Sequence, residues 1–352
     1  MGLFGNIFSG QKKTLQATDD WPEDLSKLRS FPGLVTGLKG GGKELHFFDP
    51  SSGGAARAPL VFPAEVKAYA VAPVRKWLAI AMGDSGTIKL WDYAEGTEKG
   101  AIERPEPVTA LAWDEGEETL FAGHKSTTLA ALKVPSGEVT RTLSIPPETM
   151  AKIFEKPLEN VTDLLLAPGG GTLAALMGAG VLATWNLRGD GSKINFHLAP
   201  PNRFFNIRFS PDGRYLAAAA GSYSMRIGFS SSGPVSVEMS NTRGMLWLLD
   251  IAGDRSQSVS DTAYVMENVF WTADGKEVIG LAGVLPITKG LSQELHIYPA
   301  ESFASGKTEP SRKFAIGQAP LGIAAAFQPE DAALYAVLGD DHLHRFEIPA
   351  AG

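Results

Sequence analysis

His342 and His344 stand two residues apart near the end of the chain, a spacing that on a strand places both imidazoles on one face, where they could share a metal ion. The same pair suits a solvated strand face. No His-Glu-x-x-His stretch occurs and no carboxylate at recognisable ligand spacing accompanies the two. A second chemical pattern, Gly-Leu-Lys-Gly-Gly-Gly-Lys-Glu at 37–44, meets the first seven positions of a phosphate-binding loop with Lys43 as its lysine. It breaks at the eighth, where Glu44 replaces the hydroxyl that would hold magnesium, and the following Leu-His-Phe-Phe-Asp alternates like a strand instead of opening a helix. A third set, Asp163, Asn206 and Asn268, lies near the starts of apolar runs. Brought together, they could hold a metal ion with a carboxylate and amides, or simply wet a narrow channel. No serine sits in a Gly-x-Ser-x-Gly elbow, and His46, His124, His197 and His296 are scattered singly, as structural histidines are. These residues support no catalytic assignment, no metal site and no cofactor.

The elements that must position such residues emerge from composition and repetition. Among 352 residues, 39 are Gly and 23 are Pro, a usage that favours many turns over long helices. A net charge of -7 offers no general attraction for nucleic-acid phosphates or anionic lipid, and no stretch approaches the roughly 20 apolar residues of a membrane span. The absence of cysteine excludes disulfides and thiolate chemistry. The first ten residues lack the basic and apolar regions of a secretory signal, so a cytoplasmic protein is expected.

A turn followed by an apolar run of small residues, and then by a second run ending in an aromatic or acidic residue, occurs seven times. The turns are anchored at Pro32, Pro73, Asp114, Pro168, Pro211, Ala273 and Pro329, with gaps of 41, 41, 54, 43, 62 and 56 residues. That spacing is the length of a four-stranded propeller blade with insertions. A further apolar run precedes most copies, as at 108–113, 161–166, 205–209 and 265–271, and supplies the innermost strand. An open ring would leave two apolar sheet faces in water, and the last copy ends at Ile348. Segment 12–18 is therefore expected to complete the last blade and latch the ring, with Trp21, outside the strands, pinning it. The expected fold is all-β: a seven-bladed β-propeller closed by an N-terminal strand in the last blade, residues 12–352, preceded by a flexible tail at 1–11. Trp77, Trp91, Trp113, Trp185, Trp247 and Trp271 recur within the repeats and are expected between blades.

Gly-Thr-Ile-Lys-Leu-Trp-Asp at 86–92 resembles the end of a WD40 repeat, and Phe-Ser-Pro-Asp-Gly-Arg-Tyr-Leu-Ala at 209–217 resembles its middle. Nearly the whole chain thus resembles a divergent WD40-repeat β-propeller. The other third-strand endings are Phe48-Asp49, Trp185-Asn186 and Leu249-Asp250. Ser85 stands where the family's structural network has an aspartate, and Gly123-His124 falls in a hairpin. The resemblance implies a non-catalytic interaction scaffold. Because the Ser-Pro-Asp-Gly turn also occurs in lactonase-like propellers, the alternative is a propeller hydrolase or small-ligand binder with its site at the central channel.

Three insertions interrupt the repeat: 222–243 and 284–292, each between second and third strands, and 144–160 between the third and fourth blades, where a short helix over Glu148–Glu155 is expected. Propeller topology sends all three to one face over blades four to six. Their apolar residues, Met225, Ile227, Phe229, Val235, Val237, Leu285, Pro286 and Ile287, exceed what a solvated loop needs and are the candidate partner-binding residues. The insertion 222–243, read as a hairpin, either docks a protein or peptide or merely extends the fifth blade. A monomer with a protein or peptide partner, and with no nucleic-acid or membrane partner, is the expected state.

Overall fold

The computed structural model describes residues 13–14, 19–21, 25–39, 41–52, 54–145, 158, 160–189, 194–197, 203–230, 233–253, 255–261, 264–284, 291–305, 309–319, 324–338, 340 and 342–350. They form seven antiparallel sheets, one for each repeat, arranged as a β-propeller. The innermost strands of blades one to seven are Ser26–Phe31, Val66–Ala72, Val108–Trp113, Val161–Leu166, Arg203–Phe209, Tyr264–Trp271 and Ala325–Gln328. From each, the chain steps outward strand by strand. Turns between first and second strands therefore share one face, here the lower, with those between third and fourth strands. The upper face carries the second-to-third turns and the blade-to-blade connections.

Apolar patterning explains why these sheets stack. The second strands are rich in small residues because each is covered on both sides by a neighbouring blade: Ala217 is 1 % exposed, and Ala218, Ala219 and Ala220 are wholly buried. Seven separate apolar clusters fill the seven interfaces between adjacent blades, including one between blades seven and one that joins Leu25, Leu28 and Val35 to Tyr335 and Leu343. The ring is thus closed by packing as well as by pairing. The tryptophans contribute as expected. The Trp113 indole N–H donates to the Ala70 carbonyl (3.1 Å) and that of Trp271 to the Arg208 carbonyl (3.1 Å), each tying a blade to the one before it.

Short polar side chains shape the lower turns. In the fifth blade Tyr215 N–H donates to Ser210 Oγ (2.9 Å), Arg214 N–H to Asp212 Oδ1 (3.0 Å), and Gly213 takes a φ of 69° that a Cβ would oppose. Thr272, Asp274 and Gly275 repeat the arrangement in the sixth blade. The acid or amide that ends four third strands caps the turn that follows it: Asp49 accepts from Ser51 N–H, Asp92 from Ala94 and Glu95, Asn186 from Arg188, and Asp250 from Ala252 and Gly253. The aspartate of the Trp-Asp ending is thus a turn cap, and three other endings do the same work without tryptophan before aspartate.

The latch differs in register from the sequence expectation. Asp19–Trp21, not 12–18, completes the last blade, with Asp19 opposite Arg345, Asp20 opposite His344 and Trp21 opposite Leu343. Trp21 is therefore part of the latching strand. Lys13–Thr14 pairs in parallel with the outer strand of the sixth blade, Arg312–Ala319, so the N-terminal segment engages two blades. The latching strand carries two adjacent aspartates. On an outer edge strand their charge is tolerated, and the register sets them against a basic residue and a histidine. The expected tail at 1–11 and the helix over 148–155 lie outside the described residues. Among the described residues no helix is long and apolar enough to cross a membrane.

Candidate functional site

On the upper face, the strands Tyr215–Ser230 and Gly233–Asp250 run far past the rest of the fifth blade. The inner strand reaches only to Arg203 opposite Gly221, and the outer strand only to Asp261 opposite Gly244. From Ser222 to Arg243 the insertion is therefore a two-stranded ribbon with no third strand among the described residues. Met225 is in register with Met239, Ile227 with Val237 and Phe229 with Pro234, while Val235 falls at a register shift. Leu285, Pro286 and Ile287 lie outside the described residues, between the strands Glu277–Val284 and Leu291–Pro299.

The central channel is lined by the inner strands and has two chambers. The upper one, about 420 Å³, gathers Lys27, Lys67, Thr109, Thr162, Asp163, Asn206 and Asn268, so the three polar residues read from the sequence do converge. Arg29 and Arg208 bound both chambers. Between them sits Asp163, 3.2 Å from Arg29 Nη2 and 3.5 Å from Arg208 Nη1, a clamp that joins blades one, four and five across the ring. Burial opposes the charge on Arg29, but Asp163 and the Tyr69 phenol outweigh it and raise its pKa. For Arg208 burial wins and the pKa falls. Lys27 Nζ donates to the Lys67 carbonyl (2.7 Å), while Lys67 pairs with Glu65 (2.7 Å). The Tyr69 hydroxyl donates to the Lys27 carbonyl (2.7 Å), and burial pushes its pKa up to about 12.

This chemistry does not fit the divalent cation of a lactonase-like propeller. Such an ion needs several oxygen ligands and net negative charge, whereas the channel's Asp163 carboxylate faces two guanidinium groups, and the Asn206 amide oxygen accepts the Val269 N–H (3.3 Å). Among the described residues no three His, Cys, Asp or Glu side chains gather as a metal site. Sequence reasoning missed Arg29 and Arg208. For Arg208 a signal was present, because an arginine inside the apolar run 205–209, read as an innermost strand, must find a counter-charge or water.

The remaining motifs resolve locally. Leu34–Lys39 and Glu44–Asp49 pair antiparallel, with Gly41 and Gly42 between them at φ of 67° and 80° and a strand where a phosphate-binding loop needs a helix. His344 Nε2 lies 2.9 Å from both carboxylate oxygens of Asp340, and the His342 and His344 rings stack at 6.2 Å. His124 is buried, which lowers its pKa, and its Nδ1 lies 3.0 Å from the Thr128 carbonyl oxygen.

A chain of the solved structure described as "Crystal Structure of Mitotic Checkpoint Complex" is similar to this protein with a TM-score of 0.69 and 14% identity, over 99% of this chain and 96% of that one. In all, 1607 solved chains are similar, a breadth that identifies an architecture and not a partner. No protein-family model matches the chain, and no curated protein matches it in sequence.

Proposed function

We propose that this protein is a non-catalytic, WD40-like interaction scaffold that docks a protein or peptide partner on its upper face. The observation that carries this reading is the ribbon at 222–243. An isolated two-stranded ribbon is marginally stable in water, and this one, whose sequence includes Met225, Ile227, Phe229, Val235 and Val237, has two edges unpaired among the described residues. A segment of that kind gains stability by being covered. In this reading residues 12–352 act as one monomeric cytoplasmic unit behind a tail at 1–11, and Leu285, Pro286 and Ile287 are further candidate docking residues. The likeness to a chain from a multiprotein complex supports a platform role.

The register supplies the test. Ser222 pairs with Arg243, so residues 223–242 can be replaced by Asn-Gly, which closes the blade with a tight hairpin. The shortened protein is expected to keep its melting temperature and to lose the partners that cross-link to the full-length chain. A partner set unchanged by the replacement overturns the reading.

A further inference from the structure

The lower chamber of the channel has a composition that the scaffold reading does not use. It is a cavity of about 450 Å³, within the size range of small-molecule sites, at the face opposite the ribbon. Its walls are the ends of inner strands: Phe31 from blade one, Phe209 from blade five, Phe270 and Trp271 from blade six, and Phe327 from blade seven. The walls are fixed. Ser30 Oγ–H donates to the Phe327 carbonyl, Trp271 is tied to the Arg208 carbonyl, and the Phe270 and Phe327 rings lie 5.9 Å apart. Phe31 and Phe209 remain half-buried, leaving apolar surface toward the cavity.

The inner end of this aromatic vestibule is formed by Arg29 and Arg208. Their bonds to Asp163 use Nη2 of Arg29 and Nη1 of Arg208, the latter also donating to the Ile207 carbonyl (2.6 Å). The other guanidinium nitrogens have no hydrogen-bond partner among the described residues, and the Arg29 guanidinium also lies 5.6 Å from the Tyr69 ring centroid. Two cations share one carboxylate, so one positive charge is uncompensated at the end of an apolar pocket. Among the described residues the one acid lining the vestibule is Glu330, exposed at its rim. A cation would be repelled, and a wholly apolar molecule would leave guanidinium donors unsatisfied.

We propose that the lower vestibule binds a small aromatic carboxylate, its carboxylate on Arg29 and Arg208 and its ring between Phe31 and Phe209. One carboxylate supplies the single missing charge, and guanidinium groups present paired donors suited to it. This site is independent of the docking face, and each can fail without the other.

Titration of the full-length protein with phenylpropionate, followed by ligand-observed NMR and calorimetry, tests the assignment, with phenylpropionamide as the neutral control. Saturable binding of the acid is expected, with the amide at least about tenfold weaker, the factor expected for one charge-assisted contact. Arg208→Met should weaken the acid by a similar factor. Ala273→Trp, an exposed rim position that touches no charge, should block it while leaving the melting temperature unchanged, so the test survives if Arg208→Met fails to fold. Absence of saturable binding, equal binding of acid and amide, or acid binding indifferent to Ala273→Trp overturns the proposal.

Discussion

The two ends of the channel are built from the same inner strands yet differ in chemistry. Where the strands begin, at the upper face, the lining includes Lys27, Lys67, Thr109, Thr162, Asn206 and Asn268 beside Tyr69 and Phe205. Where they end, it is Phe31, Phe209, Phe270, Trp271 and Phe327. Arg29, Asp163 and Arg208 mark the boundary. The contrast extends outward, because the upper face carries the ribbon while the lower face carries tight turns capped by Asp49, Asp92, Asn186, Asp212, Asp250 and Asp274. A repeated fold therefore does not give equivalent surfaces. The upper face carries the ribbon insertion, while most lower turns are fixed by capping, blade six excepted, where the helix Ala300–Ala304 stands between the third and fourth strands.

If the clamp divides the chambers, removing its centre should have the largest effect. Asp163→Ala leaves two half-buried guanidinium groups facing each other without a counter-charge and is expected to cost about 2–3 kcal/mol in urea unfolding. Equal stability of mutant and native protein would reduce the clamp to an ordinary surface ion pair. The lower face should respond next, and unevenly. At Gly213, where φ is 69° and a Cβ would lie 2.5 Å from the Pro168 carbonyl oxygen, alanine should cost about 2 kcal/mol; at Gly169, where φ is 79° but no atom crowds the position, about 1 kcal/mol is expected. Matching losses at the two sites would show that backbone conformation alone, and not close packing of adjacent turns, constrains that face.

The smallest effects are those of pH, and they separate the faces by sign. The Ser210 hydroxyl and the Arg214 N–H hold Asp212 below the usual carboxylate range, and the Lys276 N–H and Thr272 hydroxyl do the same for Asp274. Their contribution is present above the unfolded value near 3.8 and is lost as pH falls through the depressed values. Tyr69, beside the upper chamber, is shifted the other way. Its contribution is full below the unfolded value of 10.0 and is lost as pH rises through about 12. In melting curves taken across pH, Asp212→Asn should flatten the acid limb and Tyr69→Phe the alkaline limb. An alkaline limb unchanged in Tyr69→Phe would remove Tyr69 from this account.

Local chemistry made most of the architecture legible. Each repeat carries its own turn signals, and a Ser-Pro-Asp-Gly or a strand-ending aspartate specifies a hydrogen-bonding geometry within a few residues, so seven blades could be counted along the chain. The ribbon was equally readable, since its two halves are adjacent in sequence and pair directly. The latch was legible only in part: the need for a closing strand follows from the exposed edge, but its register depends on a partner more than 300 residues away, Asp19 opposite Arg345.

By itself, then, the sequence determined the repeat, the turns and the segments that break the pattern, because those depend on neighbours along the chain. Closing the ring decided the rest. It carried Arg29 across 134 positions to Asp163 and set phenylalanines from four blades around one cavity. Charge balance and cavity shape are properties of groups that meet in space, and no local pattern specifies which ones meet.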